Sequence, residues 1–175
     1  PRFTFEKFST SEAVLGTSMK SVGEAMAIGR NFKESLQKAL VSLEIGFSGL
    51  DRIFPLNKKE IEKELKKNIP NRILLAAEAF RKKINLKRIH QLCKIDPWFL
   101  EQIKEIVDEE NKIQKRGLPK DYNEFNRIKS IGFSDKKLSE ITKIPEDLVR
   151  KKRTALKVLP VYKKVDTCAA EFKSF

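Results

Sequence analysis

Lys20, Ser21, Glu24 and Arg30 bring both signs of charge and a hydroxyl into one short stretch, Leu15 to Arg30 (LGTSMKSVGEAMAIGR), which also holds both methionines of the chain, Met19 and Met26. Gly16 and Gly23 leave room there for a second backbone or a small ligand to come close. The mixture first reads as an active loop. Other reactive side chains are sparse. The single histidine, His90, is flanked by Ile89 and Gln91 on an expected helix, with no serine or cysteine placed in sequence to form a nucleophilic pair with it. Cys93 and Cys168 are 75 positions apart, and neither they nor His90 have metal-ligand spacing. This excludes a disulfide framework and predicts a reducing, cytosolic compartment, with Cys93 serving as a small packing residue. A glycine-rich phosphate loop and a nucleophile elbow are both missing.

The elements that must position these residues are mostly helical. Pro1–Phe8 (PRFTFEKF) alternates like a strand, with Phe3 and Phe5 on one face and its sheet partners expected outside the chain. From 31 to 160 the pattern is helix after helix. Asn31 with Glu34 predicts a cap ahead of Leu36, Leu40 and Leu43, and Asn57 with Glu60 a cap ahead of Ile61 and Leu65. Pro70 fits the first turn of a third helix, with Ile73, Leu74, Ala77 and Phe80 inward. Asn85 caps a short helix carrying Leu86, Ile89 and Leu92. Asp96-Pro97 starts the longest one, running to about Arg116 with Trp98, Phe99, Ile103, Ile106, Val107 and Ile113 as its buried face. Trp98 and Phe99 could alternatively anchor a contact between chains, since aromatic residues are enriched at interface centres. Asp121, Ser134 and Ile144-Pro145 mark three further starts, and Gly132 a left-handed C-terminal cap. Ile89–Leu92–Ile95–Phe99–Leu100 aligns with Leu138–Ile141–Ile144–Leu148–Val149 at an offset of 49, so two related helical hairpins are expected in one core.

Charge offers a competing function. The formal net charge is +13, of which residues 57–175 contribute +12. Basic character can signal a polyanion partner, and residues 134–157 (SDKKLSEITKIPEDLVRKKRTALK) could be a helix-turn-helix presenting Arg150, Lys151 and Arg153 to DNA. Against this, Glu146 and Asp147 occupy the start of the second helix, where they would repel phosphate. The lysines elsewhere alternate with Glu and Asp, as on a solvated helical surface. No nucleic-acid partner is therefore expected. Nor is a membrane, because no stretch approaches the ~20 apolar residues of a span.

Five blocks, PRFTFEKF, MKSVGEAMAIGR, FKESLQKAL, IDPWFLEQI and PVYKKVDTCAAEF, occur in the order and spacing of the carbamoyl-phosphate synthase large-subunit family, which the chain resembles over almost its whole length. The resemblance implies a mainly α fold: a helical oligomerisation domain of orthogonal helices with two helix-turn-helix-like hairpins, preceded by a strand-plus-helix remnant of an ATP-grasp domain. Residues 1–45 would be the tail of the first, carboxyphosphate-making half, 46–157 the oligomerisation domain, and 158–175 the lead-in to the second, carbamoyl-phosphate-making half. The parent would use two ATP, bicarbonate and ammonia drawn from glutamine by a small amidotransferase subunit, with Mg or Mn and K ions. It would make carbamoyl phosphate for arginine and pyrimidine synthesis. Its metal ligands would lie before Pro1 and after Phe175, leaving this chain without a complete active site, metal or cofactor. Met19, Lys20, Ser21, Gly23 and Glu24 match a block near the tunnel that passes carbamate between the halves. The chain itself would connect those halves and self-associate.

Overall fold

A computed structural model describes residues 1–3, 5, 13–52 and 55–168. Among the described residues, two short strands, β1 (Arg2–Phe3) and β2 (Ser21–Gly23), precede eight helices: α1 (Phe32–Ser42), α2 (Lys58–Glu64), α3 (Arg72–Arg81), α4 (Leu86–Cys93), α5 (Pro97–Arg116), α6 (Tyr122–Ser130), α7 (Asp135–Thr142) and α8 (Glu146–Ala155). The mainly α class read from the sequence is the class observed.

Most helices start where a side chain can satisfy the first free N–H groups. Asn31, Asn85, Asp121 and Ser134 each accept a hydrogen bond from the backbone N–H three residues on. Asp96 accepts from Trp98 N, with Pro97 in the first turn. Asn57 and Glu60 form a reciprocal capping box. Such caps are worth about 1 kcal/mol each. α3 differs from expectation: it begins at Arg72, one residue after Asn71, which makes no capping bond, so Pro70 stands ahead of the first turn.

α5 is the axis of the core, packing on α1, α3, α4 and α7. Its inward stripe is Leu100, Ile103, Ile106, Val107 and Ile113, each at most 2% exposed. Trp98 and Phe99, expected on that face, are instead 51% and 42% exposed. Both lie in the first turn of α5: Trp98 is rotated ~160° away from Leu100, whereas Phe99 shares the phase of Ile103 and Ile106 but is covered there only in part, by Phe32 and Trp98. Ile73 is likewise 40% exposed. In α1 the fully packed positions are polar: Glu34 and Gln37 are buried, while Leu36 and Leu40 are only partly covered.

The 49-residue offset corresponds to a structural duplication. Asn85 and Ser134 cap equivalent helices, and Lys94 and Lys143 end them in the left-handed conformation at φ 58° and 61°. Each of those lysines donates its N–H at 2.8 Å, to His90 O and Ser139 O respectively. Ile89 and Leu138, then Leu100 and Val149, are equivalent residues with no exposed surface. The duplication extends one step earlier, since Lys83 and Gly132 both have positive φ and precede the buried Ile84 and Phe133.

At the N-terminus, β1 pairs antiparallel with β2, Arg2 opposite Gly23 and Phe3 opposite Ser21. The strand thus has a partner within the chain, which the alternation alone did not reveal. The rings of Phe3 and Phe5 stack at 5.9 Å. The remainder of the strand expected over 1–8, Thr4 and 6–8, lies outside the described residues, as does 169–175.

Candidate functional site

Three features could carry function: the 13–30 segment, an aromatic cluster on the surface, and a buried ionic junction. The segment is irregular apart from β2, with bends at Ala13, Thr17, Ser18 and Arg30. It is pinned where Leu15 N donates to Asn68 O at 2.6 Å and Lys20 Nζ to Val14 O at 2.6 Å. Met19 and Met26 are 85% and 82% exposed, and Gly23 and Glu24 are also exposed. Lys20 and Ser21 are half-buried. A Cβ on Gly16 or Gly23 would meet nothing within 4 Å. Within this chain these residues form one open edge, so Met19, Lys20, Ser21, Gly23 and Glu24 are neighbours along the backbone without enclosing a space.

Phe32, Trp98 and Phe99 form a closed triangle. The ring centroids are 5.5 Å apart for Phe32–Trp98, 5.2 Å for Phe32–Phe99 and 5.0 Å for Trp98–Phe99, all tilted or edge-to-face. Such pairs contribute about 0.5–1.5 kcal/mol beyond area burial. The triangle fastens the start of α1 to the start of α5 while leaving much of the indole open. Among the described residues no hydrogen bond or ring contact joins it to residues 19–24.

The ionic junction lies further along α5. Glu110 occupies the inward stripe, and its Oε2 accepts from Arg81 Nε at 3.0 Å and Nη2 at 2.7 Å. Arg81 also meets Glu78 at 3.3 Å and donates to Leu50 O. Lys137, 5% exposed, donates to Asp51 Oδ1 at 2.7 Å. Burial pushes the Asp51 carboxyl up, but Lys137 and Ser48 outweigh it and hold it below the usual carboxylate range. Sequence reasoning missed this junction. Its one visible signal is a carboxylate at position 110, in register with Ile103, Ile106 and Ile113.

His90 Nδ1 contacts Ile95 O at 2.8 Å and ties the α4–α5 turn. Cys93 is buried and Cys168 exposed, both as free thiols. The DNA-reading arrangement loses two of its three cations. Arg153 turns inward onto Asp135, with Nη2–Oδ2 at 3.0 Å. Arg150 pairs with Glu146 at 2.9 Å. Among the described residues no group of three or more His, Cys, Asp or Glu could hold a metal ion, and no helix is long and apolar enough to cross a membrane.

Comparison with known proteins follows the helical body closely. The family model for the carbamoyl-phosphate synthetase large chain, oligomerisation domain, matches residues 24–157. The carbamoyl phosphate synthase large chain of Haemophilus ducreyi is 51% identical over 175 residues, and that of Rhizobium meliloti 50% identical over 182; each alignment covers 99% of this chain. The large chain of Neisseria meningitidis serogroup B is 49% identical over 173 residues, covering 98%. The chain spans 16% of the length of each of these relatives.

Proposed function

Because this chain belongs to the carbamoyl-phosphate synthase large-chain family and matches its oligomerisation domain, we propose that it joins copies of the large chain and couples that contact to the catalytic parts on either side. The observation that carries this reading is the Phe32–Trp98–Phe99 triangle. Half-exposed aromatic rings held rigidly at a helix junction are the residue types that dominate interface energetics. α1 is then the coupling element: we assign residues 1–45 to the tail of the first ATP-grasp half, 46–157 to the oligomerisation domain and 158–175 to the lead-in to the second half. α1 reaches the helical body through Phe32 and Gln37.

The parent, in this proposal, is a cytoplasmic glutamine-hydrolysing ligase working with a small amidotransferase subunit. Its ATP, Mg or Mn and K would be held by segments other than this one, which would itself be non-catalytic. The open edge at Met19, Lys20, Ser21, Gly23 and Glu24 would form one wall of the carbamate passage, with the facing walls supplied by those segments.

Sedimentation velocity tests the central claim. The wild-type chain should shift to a larger species as its concentration rises, whereas Trp98→Ala, still folded despite losing its two ring pairs, should weaken association about tenfold or more. A wild-type chain monomeric at all concentrations, or an unaffected Trp98→Ala, would sink the reading.

A further inference from the structure

The ionic junction opens onto a cleft of about 310 Å³ between the 51–52 segment, α5 and α7. Its floor is the buried pair Glu110 and Lys137, beside the half-buried Asp51, and its rim includes the exposed Arg52, Glu140 and Lys143. Three carboxylates and three cations make the lining formally neutral. A bare anion or bare cation gains little there, since each meets like charge as well as opposite charge. A molecule carrying both charges gains at both ends.

The hydrogen-bond inventory is short of donors. Ser48 Oγ lies 2.8 Å from Asp51 Oδ1 and 2.6 Å from Glu140 Oε2, yet a hydroxyl has one hydrogen and can serve only one of them at a time. Lys137 Nζ gives one N–H to Asp51, reaches Leu50 O at 3.5 Å, and stands 3.5 Å from Glu110 Oε1, an ion pair at the outer limit of hydrogen-bond distance. That oxygen is buried and accepts no hydrogen bond, although the Glu110 side chain is only 7% exposed. A buried acceptor without a donor is costly, so a ligand that brings N–H groups is favoured. The Lys137 ammonium among the carboxylates opposes a metal ion in the same place.

We propose that this cleft binds a small zwitterion, with its ammonium donating to Glu110 and neighbouring carboxylates and its carboxylate facing Arg52 and Lys143. The site is independent of the association surface at Trp98 and is assigned by none of the similarities above. A ¹⁵N–¹H titration of the 175-residue chain tests it, with glycine and 5-aminopentanoate as two amine-to-carboxylate spacings and glycine betaine, acetate and methylammonium as controls. At least one of the two amino acids should give saturable shifts at the amides of Leu50, Asp51, Lys137 and Ile141. Glycine betaine, which has no N–H, should bind about tenfold more weakly or not at all. Glu110→Gln should weaken the amino acid about tenfold. Should that variant fail to fold, Arg52→Ala decides: it should weaken the amino acid while leaving the methylammonium response unchanged. No saturable response to either amino acid, equal responses to glycine and glycine betaine, or an amino-acid response unchanged in Arg52→Ala would each overturn the proposal. So would a structure at high glycine showing only a water on Glu110 Oε1.

Discussion

Gly132 lies directly against Gln37: a Cβ on Gly132 would stand 3.0 Å from Gln37 Cβ and 3.1 Å from Glu34 Cα. Gln37 is fully buried, and its Nε2 donates to Ile131 O at 2.7 Å. The turn after α6 and the inner face of α1 are therefore fitted to each other at a single point, 95 residues apart in sequence.

Gly132→Ala should accordingly cost more than its backbone strain alone. At φ +99° a side chain is strained by about 1–2 kcal/mol, and the contact with α1 adds an overpacking cost, for a total of about 2–4 kcal/mol. Gly46→Ala is the matched control: φ is +92°, but the space around it is open, so only about 1–2 kcal/mol is expected. Urea denaturation of both variants checks the difference. Equal losses would mean that α1 is not seated on this turn.

Arg81 is the keystone of the buried junction, with its side chain 3% exposed between Glu78 and Glu110. Arg81→Met would strand two buried carboxylates, and removing one partner of such a pair costs roughly 3–5 kcal/mol. Arg81→Lys should recover only part of this, because an ammonium cannot reproduce the guanidinium fork on Glu110 and Leu50 O. Denaturation midpoints rank the three proteins. A lysine variant as stable as wild type would show that charge alone, and not geometry, is used.

Helix positions were legible because their signals are local. Asn57 with Glu60, or Asp96 with Pro97, states its own start within four residues. The duplication was legible for the same reason, through matched apolar spacing. What escaped the sequence depends on contacts across the chain. Trp98 and Phe99 look like core until the first turn of α5 is seen to stand at the surface, and nothing near Phe32 announces that it completes their triangle. The pairing of β1 with β2 likewise depends on a return of the chain after about twenty residues. The junction assembles Asp51, Arg81, Glu110 and Lys137 from four separate segments, so only an inward-phased carboxylate in α5 hinted at it.

Lys94 and Lys143, equivalent in the two repeats, both end their helices at positive φ. Glycine takes this conformation without the Cβ penalty, so Lys94→Gly and Lys143→Gly should each stabilise the chain by about 0.5–1 kcal/mol. The sites are in separate repeats and share no partner among the described residues, so the double variant should show the sum within about 0.5 kcal/mol. Thermal unfolding of the two single variants and the double variant checks this. A destabilising result at either site would mean that the lysine side chain supplies more than the conformation costs.

The pH dependence of stability follows from four carboxylates. At Glu34, Asp51, Glu109 and Asp135 burial pushes the carboxyl up, but ion pairs and hydrogen bonds outweigh it and leave each below its ordinary value. For Asp135 those partners are Arg153 and Lys129. A carboxylate whose folded value is depressed contributes stability that is complete above the unfolded value, about 4, and is lost as pH falls through the folded one. Stability should therefore hold down to about pH 5 and decline steadily below it. Lys129 acts at the other end: burial lowers its ammonium below the ordinary lysine range, so stability should rise as pH climbs from the folded toward the unfolded value. Asp135→Asn separates the contributions. It should lower stability at neutral pH, where Arg153 and Lys129 lose their partner, and flatten the acid decline measured by urea midpoints. An acid limb identical to wild type would mean that Asp135 keeps its ordinary affinity for protons despite its two cations.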